Sequence, residues 1–373
     1  MNENHTEYKV FLADIVSKNL PFDILQDRMT ELENLVETYG GVVILKKYQR
    51  KETPDPNTYI GSGKFEEILD EMKTSWSNLL IIGNVLKPSQ LYKINELLRP
   101  IGATARDRVD LILKIFGKHA QEGESRLQIE LASIKHMGPR IYGMGMELSR
   151  QWWWSKLARW LGETNTEIMK RHLKEKIQKI EQKLKEYEKM RHLHRESRKK
   201  KWLPTVGIVW YTNAGKSSLL NAMTNKWVLA EDKLFATLGT NVGKIRIMKD
   251  PVMGTGKEVL LNDTIWFIRD LPPKLIKAFS STLEDSIESD LLLHVVDAWD
   301  PFVDERIQVV NKVLDDIWAT QPRILIFNKI DTIDDKTRQS LTEKYKEQEQ
   351  LWISARKWIG LEEIKQLLAD RLV

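Results

Sequence analysis

Residues 210–217 read W-Y-T-N-A-G-K-S, which matches the phosphate-binding pattern G-x-x-x-x-G-K-[ST] at every defined position except the first. In that pattern, glycines let backbone N–H groups close around phosphates, the lysine reaches the β/γ-phosphates and the hydroxyl ligates Mg²⁺. The apolar run 206–209 predicts a buried strand before the loop, and residues 218–222 predict a helix after it. The segment therefore predicts a nucleotide site in which Trp210 occupies a glycine position.

A second segment indicates the metal. Residues 260–266 (L-L-N-D-T-I-W) have the form of a strand that ends in D-x-x-G, again with a tryptophan, Trp266, at the glycine position. Asp263 would hold Mg²⁺ through water, and the N–H of residue 266 would face the γ-phosphate.

Two further segments indicate the base. Residues 323–331 form an apolar strand that ends in N-K-x-D. Its Asp331 carboxylate can accept both guanine N–H donors, which adenine does not present, while Asn328 and the Lys329 stem frame the base. The S-A turn at 354–355 is expected to contact the guanine oxygen.

Each motif alone is weak, since N-K-x-D is more often an ordinary polar turn and Gly-Lys-Ser occurs by chance. Four motifs in the correct order, each after an apolar strand, favour a guanine-nucleotide site. The residues assigned to nucleotide are Asn213, Ala214, Gly215, Lys216, Ser217, Ser218, Asp263, Asn328, Lys329, Asp331, Ser354 and Ala355.

The composition is that of a multidomain protein without cysteine. A chain of 373 residues is long enough for two or three domains, and the absence of cysteine excludes disulfides and thiolate metal sites. The 7 histidines form no spaced metal cluster, residues 1–5 lack a basic and apolar signal, and no apolar run approaches the length of a membrane span. We expect a soluble, cytoplasmic monomer without a membrane span.

The formal net charge of +5 hides an uneven distribution. Residues 170–201 hold 14 Lys or Arg and 5 Glu, a net of +9, which leaves −4 on the rest of the chain. Such a positive segment is typical of a nucleic-acid contact, because its side chains displace condensed counterions from phosphates. A solvated helix face is the more common explanation of a charge run taken alone.

The chain divides into three predicted regions, which together make an α/β protein. Residues 1–118 alternate apolar strands with helices and predict an N-terminal α/β domain. Residues 119–202 predict a basic antiparallel helical hairpin with an intervening loop. Residues 203–373 predict a P-loop nucleotide-binding domain with a mostly parallel sheet. The strands of the first region are expected at 10–12, 42–45 and 79–82.

The hairpin is predicted from the spacing of apolar residues. In its second helix they recur at alternating spacings of four and three, a heptad seam made by Leu173, Ile177, Ile180, Leu184 and Tyr187. The first helix offers a matching stripe of Leu127, Leu131 and Ile134. We expect the second helix to begin at the capping box Thr164-x-x-Glu167 and its basic residues to face away from the seam.

These features resemble the HflX-type GTPases, a ribosome-associated family with an N-terminal α/β domain, a helical hairpin and a C-terminal G domain. The resemblance covers nearly the whole chain. Beyond the nucleotide motifs it rests on T-Y-I-G-S-G-K at 58–64, R-L-Q-I-E-L-A at 126–132, L-G-E-T at 161–164, F-A-T-L at 235–238 and F-I-R-D-L-P at 267–272.

The resemblance implies Mg²⁺-dependent hydrolysis of GTP to GDP and association with the large ribosomal subunit and its rRNA, to rescue or split ribosomes. Thr237, in the first switch, would join Ser217 and Asp263 around Mg²⁺, although Thr240 is close by. Phe267 stands where Ras-like enzymes place a water-orienting Gln. No catalytic side chain is therefore assigned, and we expect hydrolysis to be slow until a partner completes the site.

Nine tryptophans stand where the family or a turn would place glycine. They are Trp152, Trp153, Trp154, Trp160, Trp210, Trp227, Trp266, Trp299 and Trp358. Decay of the site should scatter among residue types, and engineering has no reason to place three tryptophans in a loop. A few bacterial lineages read UGA as glycine, and reading that codon as tryptophan would convert only those glycines. We favour this third hypothesis, which UGG codons would exclude.

Two functions are consistent with these sequence features. The first is a cytosolic GTPase of the ribosome, whose activity is in doubt if Trp210 and Trp266 are genuine, because their indoles would crowd the phosphates. The alternative is a hydrolysis-deficient RNA- or ribosome-binding factor whose G domain survives as a folded scaffold.

Overall fold

The structure is a computed structural model. It describes residues 8–120, 123–148, 165–200, 203–211, 214–224, 242–250, 255–263, 268–269, 275 and 289–372. The chain separates into two compact units, the first chiefly residues 1–119 and 126–183, the second chiefly 184–232 and 236–373.

The first unit contains a four-stranded sheet in the order β2-β1-β3-β4, in which every neighbouring pair is parallel. Its strands, which include the three expected segments, are β1 (Tyr8–Val16), β2 (Gly41–Arg50), β3 (Leu79–Ile82) and β4 (Thr104–Asp107). Its helices are α1 (Phe22–Tyr39), α2 (Ser62–Ser75), α3 (Pro88–Leu98) and α4 (Arg108–His119), with a short 3₁₀ turn at Arg99–Ile101.

Burial explains the order of these strands. All four residues of β3 and most of β1 are buried, as expected for inner strands of a parallel sheet that helices cover on both faces. Strand β2 lies at the edge and exposes much of its length, including Val42 and Tyr48. The N-terminal region is therefore a complete α/β layer with its own core.

The T-Y-I-G-S-G-K motif connects β2 to α2. Tyr59 has a φ of 64°, and its N–H donates to Asp55 O at 3.0 Å while the Asp55 N–H donates to Tyr59 O at 2.7 Å. Burial and the nearby Asp14 carboxylate raise the pKa of the Tyr59 hydroxyl to about 12. The motif is thus a tight turn between strand and helix.

Helices α5 (Gly123–Leu148) and α6 (Asn165–Lys200) form the hairpin. The seam of α6 is visible in its burial: Ile180 is buried and Leu173, Ile177 and Leu184 are partly buried, whereas the residues between them are mostly exposed. Tyr187 is exposed, so the seam is less buried toward its C-terminal end. The predicted cap residue Thr164 and the loop at 149–164 lie outside the described residues.

Charged pairs reinforce the contact between these helices. Lys135 Nζ lies 2.9 Å from Glu181 Oε1, and Lys176 Nζ lies 2.6 Å from Glu130 Oε1. On the sheet side of α5, His136 Nε2 lies 3.1 Å from the buried Asp107 carboxylate at the end of β4. The first hairpin helix therefore makes a polar contact with the end of β4.

The second unit contains a six-stranded sheet in the order β10-β9-β8-β5-β7-β6. Only the β6–β7 pair is antiparallel, which confirms the prediction of a mostly parallel sheet. Its strands are β5 (Thr205–Trp210), β6 (Val242–Asp250), β7 (Thr255–Asp263), β8 (Leu291–Asp297), β9 (Arg323–Asn328) and β10 (Gln350–Trp352). Its helices are α7 (Lys216–Thr224), α8 (Val303–Asp316), α9 (Asp335–Lys344) and α10 (Leu361–Leu372), with a 3₁₀ turn at Ile330–Thr332.

The length and hydropathy of the helices determine whether any of them could cross a membrane. Within the ranges that the structure describes, no helix is both long and apolar enough to cross a membrane.

Candidate nucleotide-binding site

Strand β5 and helix α7 position the phosphate loop. All six residues of β5 are buried, and the strand pairs in parallel with β7 on one side and β8 on the other. The loop therefore leaves the carboxyl edge at the centre of the sheet, where α/β proteins bind ligands. Helix α7 begins at Lys216, and its N-terminal amides suit an anionic phosphate. Asn213 lies outside the described residues.

Glycine is the only residue type that fits at position 215. Its φ is 88°, and a Cβ there would come within 2.4 Å of the Asn328 side-chain nitrogen. Both backbone conformation and space thus exclude a larger residue. The second glycine of the phosphate-binding pattern is present for a physical reason that this structure displays.

Asn328 joins the phosphate loop to the S-A turn. Its side chain is buried; Nδ2 donates to Ala214 O at 2.8 Å, and Oδ1 accepts from the Ala355 N–H at 3.0 Å. One amide therefore ties the end of β9 to two loops that follow other strands. The sequence predicted that Asn328 frames the base, and its contacts give it a bridging position between the loops.

Lys329 has a partner that sequence reasoning missed. Its φ is 65°, and its Nζ lies 2.6 Å from Asp297 Oδ2. Asp297 ends β8 and pairs in register with Asn328. The sequence signal for it was an aspartate at the end of the mostly apolar run 291–296. The ion pair directs the Lys329 stem along the carboxyl edge of the sheet.

Asp331 is held as a carboxylate beside the S-A turn. The hydrogen bond from the Ser354 side chain is the main cause that lowers the pKa of Asp331, and Lys357 Nζ lies 3.3 Å from Oδ2. Ser354 itself is fully buried, so it is a fixed donor. A charged carboxylate with accessible lone pairs is suited to accept two N–H donors from one base edge.

Trp210 occupies the space beside the phosphate-loop lysine. The indole is buried, with 3% of its surface exposed, and Lys216 Nζ lies 4.1 Å from the ring centroid. Lys216 is itself only 8% exposed. The ammonium that would contact phosphates therefore makes a desolvated cation–π contact, which is worth roughly 2 kcal/mol.

Tyr211, which the sequence analysis did not single out, connects the loop to the segment after D-x-x-G. Its hydroxyl accepts from the Arg269 backbone N–H at 2.8 Å, and the Arg306 guanidinium carbon lies 4.2 Å from its ring centroid. Arg269 Nη2 in turn lies 2.8 Å from Glu305 Oε2 of α8. The loop position was undefined in the pattern, so only the structure could assign this contact.

The residues expected around Mg²⁺ are described only in part. Ser217 is the second residue of α7, and Asp263, the last residue of β7, pairs in register with Ile208 of β5. Both therefore lie at the carboxyl edge, next to the loop. The side chain of Asp263 and all of Thr237, Trp266 and Phe267 lie outside the described residues.

Family comparisons cover successive parts of the chain. A family described as "GTP-binding GTPase N-terminal" matches residues 26–117, and one described as "GTP-binding GTPase Middle Region" matches 119–198. A third, described as "50S ribosome-binding GTPase", matches 205–329.

Individual relatives match nearly the full length of this chain. The GTPase HflX of Caldanaerobacter subterraneus subsp. tengcongensis is 41% identical over 348 residues, which are 93% of this chain and 77% of the relative. The GTPase HflX of Escherichia coli is 36% identical over 345 residues, 92% of this chain and 79% of the relative. The crystal structure of an SsGBP and GDP complex is similar with a TM-score of 0.54 at 26% identity, over 98% of both chains.

Proposed function

This chain belongs to the HflX family of GTPases, and from that premise we propose that it is a cytoplasmic factor that couples Mg²⁺-assisted GTP hydrolysis to binding of the large ribosomal subunit, to rescue or split ribosomes. The observation that carries the proposal is the bridge made by Asn328. It brings the phosphate loop and the S-A turn to one edge of the sheet, next to Asp331. A phosphate-binding and a base-reading element at one edge support a guanine-nucleotide site.

The phosphates would be held by Lys216 and by the loop amides from 213 to 218. A lysine at the start of α7 adds its charge to the partial positive charge of the helix N-terminus, and both oppose the triphosphate charge. Hydrolysis then proceeds by attack of water on the γ-phosphate, and the protein contributes positioning and neutralisation of charge. Phe267 offers no hydrogen bond to that water, so a partner would complete the site.

The expected metal donors fit Mg²⁺. The Ser217 hydroxyl and the Asp263 and Thr237 oxygens are hard ligands, the type that Mg²⁺ prefers. Ser217 lies in the first turn of α7 and Asp263 ends β7, so both lie at the same carboxyl edge. When bound, the metal would neutralise charge on the β- and γ-phosphate oxygens.

The rRNA contact is proposed for α6. Its seam is buried at Ile180, whereas its described lysines are exposed, among them Lys174, Lys179, Lys183, Lys185 and Lys189. The described part of this net-positive segment thus presents cations to solvent along one helix. The description of the matched family as a "50S ribosome-binding GTPase" agrees with a ribosomal partner.

A second candidate function is favoured by one observation, the contact between Trp210 and Lys216. If Lys216 stays against the Trp210 indole, it is not available to phosphates. The G domain would then remain folded and the protein would bind the ribosome without hydrolysing GTP. Titration of the protein purified from its own cells, with whichever residue it carries at position 210, with a fluorescent guanine nucleotide separates the two candidates. Tight binding supports the GTPase, and no binding at millimolar nucleotide supports the scaffold.

Two variants test the assignment of the loop. In a Trp210→Gly, Trp266→Gly background, Lys216→Ala should cost several kcal/mol of nucleotide affinity, because the triphosphate loses its main counter-charge. Ser217→Ala should chiefly remove the Mg²⁺ dependence of binding. Unchanged binding in both variants would place the phosphate site elsewhere.

A further inference from the structure

Three tryptophans adopt a left-handed backbone. The φ values of Trp76, Trp318 and Trp358 are 55°, 59° and 60°. In the part of the chain that the structure describes, only two other non-glycine residues, Tyr59 and Lys329, have positive φ. A Cβ makes this conformation costly, and bulky residues rarely adopt it. Three of five such positions therefore hold a residue type that makes up 13 of the 373 residues.

Trp76 ends α2 in the way that glycine usually ends a helix. Its N–H donates to Lys73 O at 3.4 Å, and the Ser77 N–H donates to Met72 O at 3.0 Å. This pair of bonds, from residues three and five positions back, is the Schellman motif, whose left-handed residue is usually glycine.

Trp318 ends α8 with the same two bonds. Its N–H donates to Asp315 O at 3.0 Å, and the Ala319 N–H donates to Leu314 O at 2.9 Å. Gly102 shows the ordinary form of this motif elsewhere in the chain: its N–H donates to Arg99 O at 3.0 Å, and its φ is 68°. Trp76 and Trp318 thus occupy the backbone role that Gly102 performs.

Burial of the side chain does not offset the backbone strain at these two positions. The residue surface is 81% exposed at Trp76 and 83% exposed at Trp318. An indole stabilises a protein by burying its large apolar surface, and tryptophan is highly buried on average. Neither side chain gains that stabilisation.

Trp358 lies in the turn that follows the guanine-contact residues. Ser354 and Ile359 exchange backbone hydrogen bonds of 3.0 and 3.1 Å across the turn, and the positive φ of Trp358 closes it. The residue is 63% exposed. The position at which the family resemblance predicts glycine is therefore also one whose backbone conformation favours glycine.

Trp352 behaves differently and provides an internal contrast. Its ring stacks on Phe327 with centroids 4.3 Å apart and an interplanar angle of 16°. It packs against the core cluster that contains Val296 and Leu341, and its φ is negative. Here the tryptophan has both a suitable backbone and apolar neighbours.

We propose that the natural protein carries glycine at positions 76, 318 and 358, and that one codon, UGA read as glycine, accounts for these residues together with the other eight tryptophans suspected from sequence, among them Trp210 and Trp266. Trp76 and Trp318 join the nine positions suspected from sequence. Only Trp202 and Trp352 then remain as genuine tryptophans of the thirteen. The natural phosphate loop would begin with glycine at 210, which leaves Lys216 free of the indole.

The codons and the peptides of the cell's own protein test the proposal. UGA at 76, 318 and 358, UGG at 352, and peptides with glycine at the first three positions and tryptophan at 352 are expected. UGG at any of the three, UGA at 352, or UGA codons with tryptophan in the peptides would overturn it.

Thermal unfolding of recombinant variants gives a second, independent test of the geometry. Trp76→Gly and Trp318→Gly should leave Tm equal or higher, because each replaces a strained, exposed residue with one that accepts the backbone. Trp352→Gly is the matched control and should lower Tm through loss of the stack on Phe327. A lower Tm for Trp76→Gly or Trp318→Gly would contradict the assignment of glycine to these caps.

Discussion

The ammonium of Lys216 lies 4.1 Å from the centroid of the Trp210 indole, so the two defined positions of the phosphate-binding pattern that frame the loop contact one another. In a phosphate loop that lysine should instead face the phosphates. Because both residues are buried, nucleotide binding at the proposed site would have to break a desolvated contact and displace an aromatic ring. The proposed site therefore predicts that GTPase activity depends on the residue at position 210.

Trp210→Gly should strengthen binding of fluorescent GDP by tenfold or more, because the lost cation–π contact alone corresponds to roughly 2 kcal/mol. Trp299→Gly is the matched control, since Trp299 is exposed in a turn and should leave affinity unchanged. Equal affinities of Trp210→Gly and the unmodified chain would show that the indole does not obstruct the site.

Tyr211→Phe should lower the rate of GTP hydrolysis about tenfold, the effect of one lost hydrogen bond, and change GDP affinity by less than about twofold. The variant removes only the hydroxyl that accepts from Arg269 N, so it loosens the segment after D-x-x-G and leaves the phosphate contacts in place. The measurement is single-turnover hydrolysis beside equilibrium binding, in the Trp210→Gly, Trp266→Gly background.

A second tyrosine of the same unit gives the control. Tyr345 donates from its hydroxyl to Asp304 Oδ1 at 2.6 Å. Tyr345→Phe should therefore affect stability alone. If both variants slow hydrolysis equally, the Tyr211 hydroxyl has no specific positioning role.

In the Trp210→Gly, Trp266→Gly background, Asp331→Asn should weaken GDP binding roughly a hundredfold and favour xanthine nucleotide, because the amide can no longer accept two guanine N–H donors. The hydrogen bond from Ser354 holds the pKa of Asp331 below its usual value, so the carboxylate is charged throughout the neutral range. Competition titrations with GDP, XDP and ADP measure the change. Equal competition by ADP and GDP against the unmutated residue would contradict the assignment.

Much of this fold could be predicted because its signals are local. Apolar runs marked the inner strands, and the spacing of Ile177 and Ile180 marked the hairpin seam. The contacts between distant segments could not be predicted: Asn328 reaches Ala214 across 114 residues, and Tyr211 reaches Arg269 across 58. A pattern shows which residues follow a strand, but only packing determines which of them meet.

The tryptophans illustrate the same limit. Trp358 could be suspected from its place in a family motif, whereas Trp318 follows a helix whose end has no sequence signal apart from the tryptophan itself. Its left-handed backbone became evident only when α8 and its cap were described. Backbone conformation is a property of the fold, and it was this property that separated Trp318 from Trp352.

His294 should make the second unit sensitive to acid. Burial, with a smaller effect from Arg323, lowers the pKa of this β8 side chain from 6.5 to about 3. Below pH 6.5 this histidine is protonated in the unfolded chain but stays neutral in the folded chain. The free energy of unfolding therefore falls as the pH drops, by about 2 kcal/mol at pH 5.

Urea denaturation of the unmodified chain and of His294→Leu at pH 7 and pH 5 measures this term. The variant should lose less stability between the two pH values, by about 2 kcal/mol, whatever its stability at pH 7. An equal loss in both proteins would mean that His294 does not titrate on unfolding.

The basic face of α6 should account for much of the salt dependence of ribosome binding. Its seam residue Ile180 is buried, so the cations of the other faces are available to phosphates. Reversal to glutamate of four exposed residues should weaken binding and reduce the slope of log K against log salt by roughly one unit per lost phosphate contact. The four are Lys174, Lys179, Lys183 and Lys185.

The matched control reverses four exposed lysines outside the hairpin, so that net charge changes equally. They are Lys93, Lys312, Lys336 and Lys346. Sedimentation with large subunits at several salt concentrations should separate the two variants, and GDP affinity should be unchanged in both. If binding at physiological salt survives the α6 reversals, α6 serves only as a solvated strut. If binding falls equally in the control, general electrostatic attraction explains the salt dependence and α6 makes no specific contact.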